Sequence, residues 1–243
     1  MKTAVITGCN KGLGLKLLER FSEEGYNVIA LNRKQYDDFD EKCATIEASC
    51  HNHIFKVYAD LTDGTAIAAA IETIAEKGVS IDVLVNNAGA NVVQHIFNTD
   101  YNDLERIFKV NYYAPVLITK GIANIMIHEG KGSIINISST MALHPDSGLS
   151  GYGASKAALN YFTESVGQEL GSFGIRINAV ACGPMESSMY ETLDEKAQKK
   201  MAKRVAMGRI ASLNEIIEIV MFLASEKSSF LTGSVIAADG GYK

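Results

Sequence analysis

The chain has 243 residues, 47% of them hydrophobic and 21% charged, and a formal net charge of -5. These are the proportions of an ordinary globule with room for a core, and no apolar run approaches the roughly 18 residues that a membrane helix needs. The acidic balance, with scattered rather than clustered cations, gives no general attraction to nucleic acid or to an anionic membrane.

MKTAVITGCN runs straight into a glycine turn, without the apolar stretch and small-residue cleavage site of an export signal, so a cytoplasmic, unprocessed chain is expected. Short apolar runs then alternate with helical patterns. KTAVIT precedes a helix near 12–24, NVIAL one near 38–49, HIFKVYA one near 64–77, and IDVLV helices from about 101. SIINIS precedes a helix near 152–171, IRINAV one near 213–224, and SVIAA closes the series. Seven strands alternating with helices predict a doubly wound α/β fold with a parallel sheet covered on both faces. No repeat or Pro/Ser-rich linker divides the chain, so residues 1–243 are expected to form one domain. The segment 184–209 is helical in pattern but inserted between a strand and the next main helix, which is where a substrate lid would lie.

The four cysteines, Cys9, Cys43, Cys50 and Cys182, form no Cys-x-x-Cys pair, and reduced thiols are expected. Cys43, Cys50, His51 and His53 cluster at a spacing that matches no common zinc site, so no metal is expected.

After the first strand comes 7-TGCNKGLG-14, with Gly8, Gly12 and Gly14 opening a helix. Glycines there allow a tight turn and close approach to a pyrophosphate, which free N–H groups at a helix start would hold. In 151-GYGASKAALN-160, Tyr152 and Lys156 stand four apart, on one helical face. Alone, that pair is equally a solvated helix surface.

Taken together, TGCNKGLG, 86-NNAG-89, Asn111, Ser139 in 133-SIINISS-139 and the Tyr152/Lys156 pair resemble the short-chain dehydrogenase/reductase superfamily over essentially the whole chain. The likeness is nearest to its 3-oxoacyl-(acyl-carrier-protein) reductase members. It implies a Rossmann fold and a catalytic set of Asn111, Ser139, Tyr152 and Lys156. For the cofactor it implies Gly8, Asn10, Lys11, Gly12, Leu13 and Gly14 in the first turn, then Asp60, Leu61, Asn87, Ala88 and Gly89. Tyr152, Lys156, Gly183, Met185 and Ser187 complete that set, with Lys156 on the nicotinamide ribose and Ser187 on the nicotinamide amide. In the usual Pro-Gly turn of the family, Cys182 replaces the proline and is read as a tolerated replacement.

The residues add reasons. A tyrosine has a pKa near 10, and an adjacent ammonium is expected to lower it, so Lys156 would tune Tyr152. Side chains alternate along a strand, so only one of Ser138 and Ser139 faces the cleft, and the family spacing selects Ser139. Pro115 cannot donate to the carbonyl of Asn111, which is then free to hold a water. In 30-ALNRK-34, Asn32 occupies the place of the acidic residue of NAD binders, and Arg33 and Lys11 suit a 2'-phosphate, so NADP(H) is favoured over NAD. The other reading makes Arg33 and Lys11 solvated surface charges.

The expected function is an NADP(H)-dependent oxidoreductase moving a hydride between nicotinamide and a carbonyl or secondary alcohol of a small molecule. The alternatives are a carrier-protein 3-oxoacyl reductase and a non-catalytic dinucleotide-binding protein. Carrier-dependent members commonly present two arginines near the active-site mouth; the matching positions are Gly130 and Phe173, with Lys131 and Arg176 beside them. Pocket candidates are Val92, Met141, His144, Met185, Met189 and Tyr190. The run 107-IFKVNYYAPVLI-118 is apolar nearly all round, which with the family's habit suggests a homotetramer, or a homodimer.

Overall fold

The computed structural model describes residues 1–187, 190 and 194–243. Strands β1 (Thr3–Thr7), β2 (Asn27–Asn32), β3 (Ile54–Tyr58), β4 (Val83–Asn86), β5 (Gly132–Ser139), β6 (Ile175–Cys182) and β7 (Val235–Ala238) form one parallel sheet, ordered β3-β2-β1-β4-β5-β6-β7. Between them lie α1 (Gly12–Glu23), α2 (Asp37–Cys50), α3 (Gly64–Ala75), α4 (Tyr101–Phe108), α5 (Ala114–Ile127), α6 (Ser150–Leu170), α7 (Glu195–Ala202) and α8 (Leu213–Ala224).

β1 and β4 are buried at every position, so their side chains must be apolar on both faces of the sheet. Alternation sends Ala4 and Ile6 to a core shared with Leu17 and Phe21 of α1 and Val220 of α8. Val5, between them, enters the opposite core with Ile74 of α3 and Ile118 of α5. Helix α1 ends where Gly25 takes φ +77°, a conformation that a side chain would strain. The Gly25 amide donates to Ser22 O at 3.0 Å and the Tyr26 amide to Phe21 O at 3.0 Å, closing the helix as the Phe21 and Tyr26 rings meet edge to face at 5.1 Å. That closure aims the chain into β2.

Order reverses between β1 and β4: the chain works outward through β2 and β3, then returns to the other side of β1. Loops after β1 and β4 therefore diverge from a crevice at the carboxyl edge, the usual ligand place in such a sheet. Near the far edge, Gly167 of α6 lies against the loop before β7. A Cβ on Gly167 would come within 2.6 Å of both the N and Cα of Gly233. Backbone cannot swing aside, so Gly167→Ala forces the helix off the strand. We expect a Tm lower by about 3–10 °C, from 1–3 kcal/mol of overpacking at roughly 2–4 °C per kcal/mol in a chain of this size. Thermal unfolding followed by circular dichroism checks it, and an unchanged Tm would mean the contact is slack.

Candidate active site

Asn87 ties the two loops of the crevice together. Its Nδ2 donates to Thr7 O at 2.9 Å and Gly8 O at 3.1 Å, and the Thr7 hydroxyl accepts from the amides of Asn87 and Ala88. Gly14 packs so tightly beneath that a Cβ would stand 2.1 Å from Gly8 O. Gly8 and Gly12 take φ +72° and +55°, and nothing lies within 4 Å of a Cβ built on Gly12. Lys11, at the N-cap of α1, makes no side-chain cap, and no acidic residue stands in the first turn. The first amides of α1 thus face open space, where an anion fits.

A cleft of about 740 Å³ opens there. The first turn lines it with Gly8, Asn10, Lys11, Gly12, Leu13 and Gly14, and the β4 loop with Asn87, Ala88 and Gly89. Met185, Ser187 and Tyr190 line its other side, as do Glu186 and Leu213, which sequence reasoning missed. Glu186 stands beside the start of α8, its carboxylate accepting from Leu213 N at 3.3 Å, a pairing across 27 positions that no local pattern announces.

Other expected cofactor residues lie elsewhere. Asn32 is buried and turns its Oδ1 to Cys9 N at 2.8 Å, bracing the glycine turn instead of opening toward a ribose. Arg33 is exposed just beyond it. The Asp60 carboxylate accepts from the Thr62 amide and hydroxyl at 2.9 and 2.8 Å, bonds that hold it below the usual carboxylate range. Leu61 lines an apolar groove with Ile67 and Leu117 because its side chain belongs to the α3–α5 side of the sheet. Gly183 lines a second cleft, of about 400 Å³, beside Ser139 and Met141. Val92 and His144 are outside the lining of both clefts, and Met189 lies outside the described residues.

The four expected catalytic residues converge at the carboxyl ends of β4 and β5. Ser139 is the last residue of β5; its hydroxyl accepts from Met141 N at 3.2 Å and stands close enough to Tyr152 to favour the phenolate. Ser138 points inward, its hydroxyl 3.5 Å from Lys156 O. Lys156 is buried, and its Nζ donates to Ile137 O at 2.8 Å and stands 6.0 Å from the centre of the Tyr152 ring. A Cβ on Gly89 would lie 3.8 Å from that Nζ, so the amine also meets the loop of the first cleft.

Asn111 is fully buried in a π turn, Lys109–Tyr113, between α4 and α5. Such turns hold one residue more than an α turn and recur at functional sites. Its Nδ2 donates to Ala90 O at 2.8 Å and Ser155 Oγ at 2.9 Å, and its Oδ1 accepts from Ala90 N at 2.8 Å. The side chain, not considered in the sequence reading, joins the β4 loop to α6 beside Lys156.

Electrostatics correct one expectation. The Tyr152 phenol is pushed up, not down: burial outweighs every other influence, and the nearby Ser139 hydroxyl opposes it only in part. Burial also pushes the Lys156 amine down to about 8, which weakens it as a source of fixed charge. Cys182 is buried with its thiol pushed up to about 12 by desolvation, a poor nucleophile. Cys43 and Cys50 lie on α2 with His51 as its cap, and no group of three or more metal-ligating side chains gathers among the described residues.

A second correction concerns Gly130 and Phe173. They precede β5 and β6, at the strand ends opposite Ser139 and Cys182, so they do not flank the mouth. Lys131 pairs with Asp82 at 3.1 Å, and Arg176 closes the end of α8 through Leu223 O and Ser225 O at 3.0 and 3.2 Å.

The Lys156 shift has a thermodynamic consequence. Between about pH 8 and 10.5 the unfolded chain holds a proton that the native amine has released, so this group adds stability as pH rises through that window. Below pH 8 its full burial cost, of order 3 kcal/mol, is present. Lys156→Met is expected to lose the pH-dependent part, so its Tm relative to the parent's should be highest near pH 7 and decline by pH 10. A difference independent of pH would contradict the shift.

Comparison with known proteins follows the same lines. A family model described as enoyl-(acyl carrier protein) reductase matches residues 8–243. The 3-oxoacyl-(acyl-carrier-protein) reductase FabG of Thermotoga maritima is 33% identical, covering 99% of this chain and 97% of its own. A 3alpha-hydroxysteroid dehydrogenase of Mediterraneibacter gnavus is 31% identical, covering 98% and 96%. Among solved structures, L-sorbose reductase of Gluconobacter frateurii, complexed with NADPH and L-sorbose, superposes with a TM-score of 0.90 at 26% identity, covering 99% and 96%. A protein of Beutenbergia cavernae described as an NAD(P)-dependent gluconate 5-dehydrogenase, with bound NADP, gives 0.92 at 28%, covering 99% and 96%. With a parallel Rossmann-type sheet, a glycine turn at its order reversal and Ser139, Tyr152 and Lys156 gathered at one edge, the chain belongs to the short-chain dehydrogenase/reductase family of oxidoreductases.

Proposed function

We propose that the protein is an NADP(H)-dependent reductase of a small carbonyl compound, with Tyr152 as its acid and base. The observation that carries this reading is the gathering of Ser139 and Tyr152 beside a buried Lys156, one loop away from the anion-ready start of α1. The glycine turn, Asn87–Gly89, Met185 and Ser187 would hold the dinucleotide, whose nicotinamide supplies or takes the hydride.

Ser139 orients the substrate carbonyl by donating to its oxygen. Tyr152, kept as a neutral phenol by burial, donates its proton to that oxygen as negative charge develops there. Lys156 holds the ribose and steadies the phenolate left behind. Asn111 fixes the β4 loop and, through its carbonyl freed by Pro115, offers a water on the way to solvent. Arg33 and Lys11 are exposed and in no ion pair among the described residues, and no carboxylate ends β2, so a 2'-phosphate is welcome.

A second reading, reduction of a 3-oxoacyl group on carrier protein, is favoured by the likeness to the Thermotoga reductase. Rates on a carrier-bound thioester and on its small analogue decide between the two. The reduced cysteines fit a cytoplasmic place, and no helix among the described residues is long and apolar enough to cross a membrane. Assembly as a homotetramer, or a homodimer, is supported by exposed Tyr113 and Leu117 beside the π turn, Tyr161 on α6 and Phe230 before β7.

Two experiments test the reductase. Tyr152→Phe is expected to bind cofactor as the parent does and to lose about 10²–10⁴ of the rate; turnover within tenfold of the parent excludes the assignment. Arg33→Ala is expected to weaken NADPH and leave NADH nearly unchanged, read by titration of fluorescence, since only NADPH carries the phosphate. Equal affinity of the parent for both cofactors would rule against NADP(H).

A further inference from the structure

The cleft beside Ser139 has a charged wall that proton transfer does not use. Asp146, in the loop between β5 and α6, faces Arg204, just beyond α7, and both line the cleft with Tyr242 and Lys200. Arg204 Nη1 donates to the Asp146 carboxylate, and Nε donates to Lys243 O at 3.2 Å. The guanidinium lies 4.6 Å over the Tyr242 ring, while Lys243 N donates back to Arg204 O at 3.0 Å. Bonds and stacking thus fix the guanidinium, yet its Nη2 has no partner among the described residues. Among the described residues the Asp146 carboxylate accepts from Arg204 and from Ser147 N at 2.8 Å, which leaves lone pairs unused, and the Arg204 bond keeps its carboxyl ionised well below neutral pH.

The two side chains are 35% and 34% exposed, where an ion pair adds little to stability. Their spare donors and acceptors face a cleft that ends at Ser139. Which substrate would use them follows from the pairing. An alkyl chain would strip water from the pair and return no hydrogen bond. An anion could reach Arg204 Nη2 but would sit beside the Asp146 carboxylate, with the exposed Lys200 as the one further cation among the described lining residues. Hydroxyl groups can donate to Asp146 and accept from Arg204 while the pair stays intact.

Resting on the reductase reading above, we propose that Asp146 and Arg204 select the substrate, and that it is a neutral polyhydroxylated ketone or aldehyde. Its hydroxyls pair with Asp146 and Arg204 while its carbonyl lies against Ser139 and Tyr152.

The test measures NADPH oxidation with fructose, 2-hexanone and levulinate, which carry hydroxyls, an alkyl chain and a carboxylate respectively. The parent should favour fructose over 2-hexanone by at least tenfold in kcat/KM. Asp146→Asn and Arg204→Gln should each cut that ratio roughly ten- to a hundredfold, the worth of one hydrogen bond to a charged group. Using the ratio cancels any general loss of folded enzyme. A preference for 2-hexanone, a preference for levulinate that needs Arg204, or a ratio that neither variant moves overturns the proposal. So does turnover, lost in Tyr152→Phe, of other carbonyls but of none of these three, which leaves the reductase reading standing. Absence of NADPH- or NADH-linked reduction of any carbonyl removes that reading and this proposal with it.

Discussion

Everything at the site depends on the joint between β1 and β4. A parallel sheet whose order reverses must leave two loops diverging from adjacent strands, and their amides and carbonyls lose the ladder at that point. One side chain, Asn87, replaces the missing bonds by donating to Thr7 and Gly8 at once, while the Thr7 hydroxyl accepts from the opposite side. Gly14 admits this because no Cβ could share the space with Gly8 O. The start of α1 is thereby held open instead of being capped by its own chain. A binding cleft here is the product of a topological necessity and one amide.

The catalytic edge is built from a different balance. Placing an ammonium inside a protein is unfavourable, and Lys156 meets that cost with one carbonyl and a depressed affinity for its proton. Tyr152 experiences the same burial with the opposite sign, since its charged form is the deprotonated one. Both groups are driven toward neutrality, which opens a gap between two groups whose ordinary values, 10.0 and 10.5, nearly coincide. Tyr152 thus keeps its proton until negative charge gathers on a substrate oxygen, while Lys156 gives up its own more readily than a free lysine does. The polar chain Asn86–Asn136–Thr163, with bonds of 2.8 Å, ties β4, β5 and α6 together beneath the site, so both groups are held in a stiff frame.

Much of this was legible in the sequence, and the rest was not for identifiable reasons. Strand and helix periodicity, glycine placement and the Tyr152/Lys156 spacing are local, and each element boundary fell within a few residues of its expected place; Leu213–Ala224 agreed at both ends. Strand alternation leaves one of Ser138 and Ser139 for the cleft, and the family spacing, not the alternation, selects Ser139. Sign errors arose where environment outweighs neighbours: a lysine four residues from a tyrosine suggests a lowered phenol, but burial is a property of the whole fold. The charged wall was invisible because Asp146 and Arg204 are 58 positions apart. Asn32 was read as standing where NAD binders carry an acid; that its side-chain oxygen also accepts from Cys9 N and braces the glycine turn, a contact across 23 positions, was not legible.

The π turn at Lys109–Tyr113 carries a consequence of a different kind. An α-helix accepts a surplus residue without breaking only by widening one turn, and here the Ala114 amide reaches back five positions, to Lys109 O. The extra residue is what lets Asn111 face inward while α4 and α5 keep their own apolar faces aligned with the sheet. Deleting one residue from 109 to 113 would let the turn close to regular pitch with α4 and α5 still in phase, because the wide turn absorbs the surplus residue. Ile118 and Ile122 would keep their places in the core, and the inward-facing asparagine is what the turn would lose. For this helix, length is a more sensitive variable than identity: a lineage could exchange most of its side chains and keep the site, but not lose a single position.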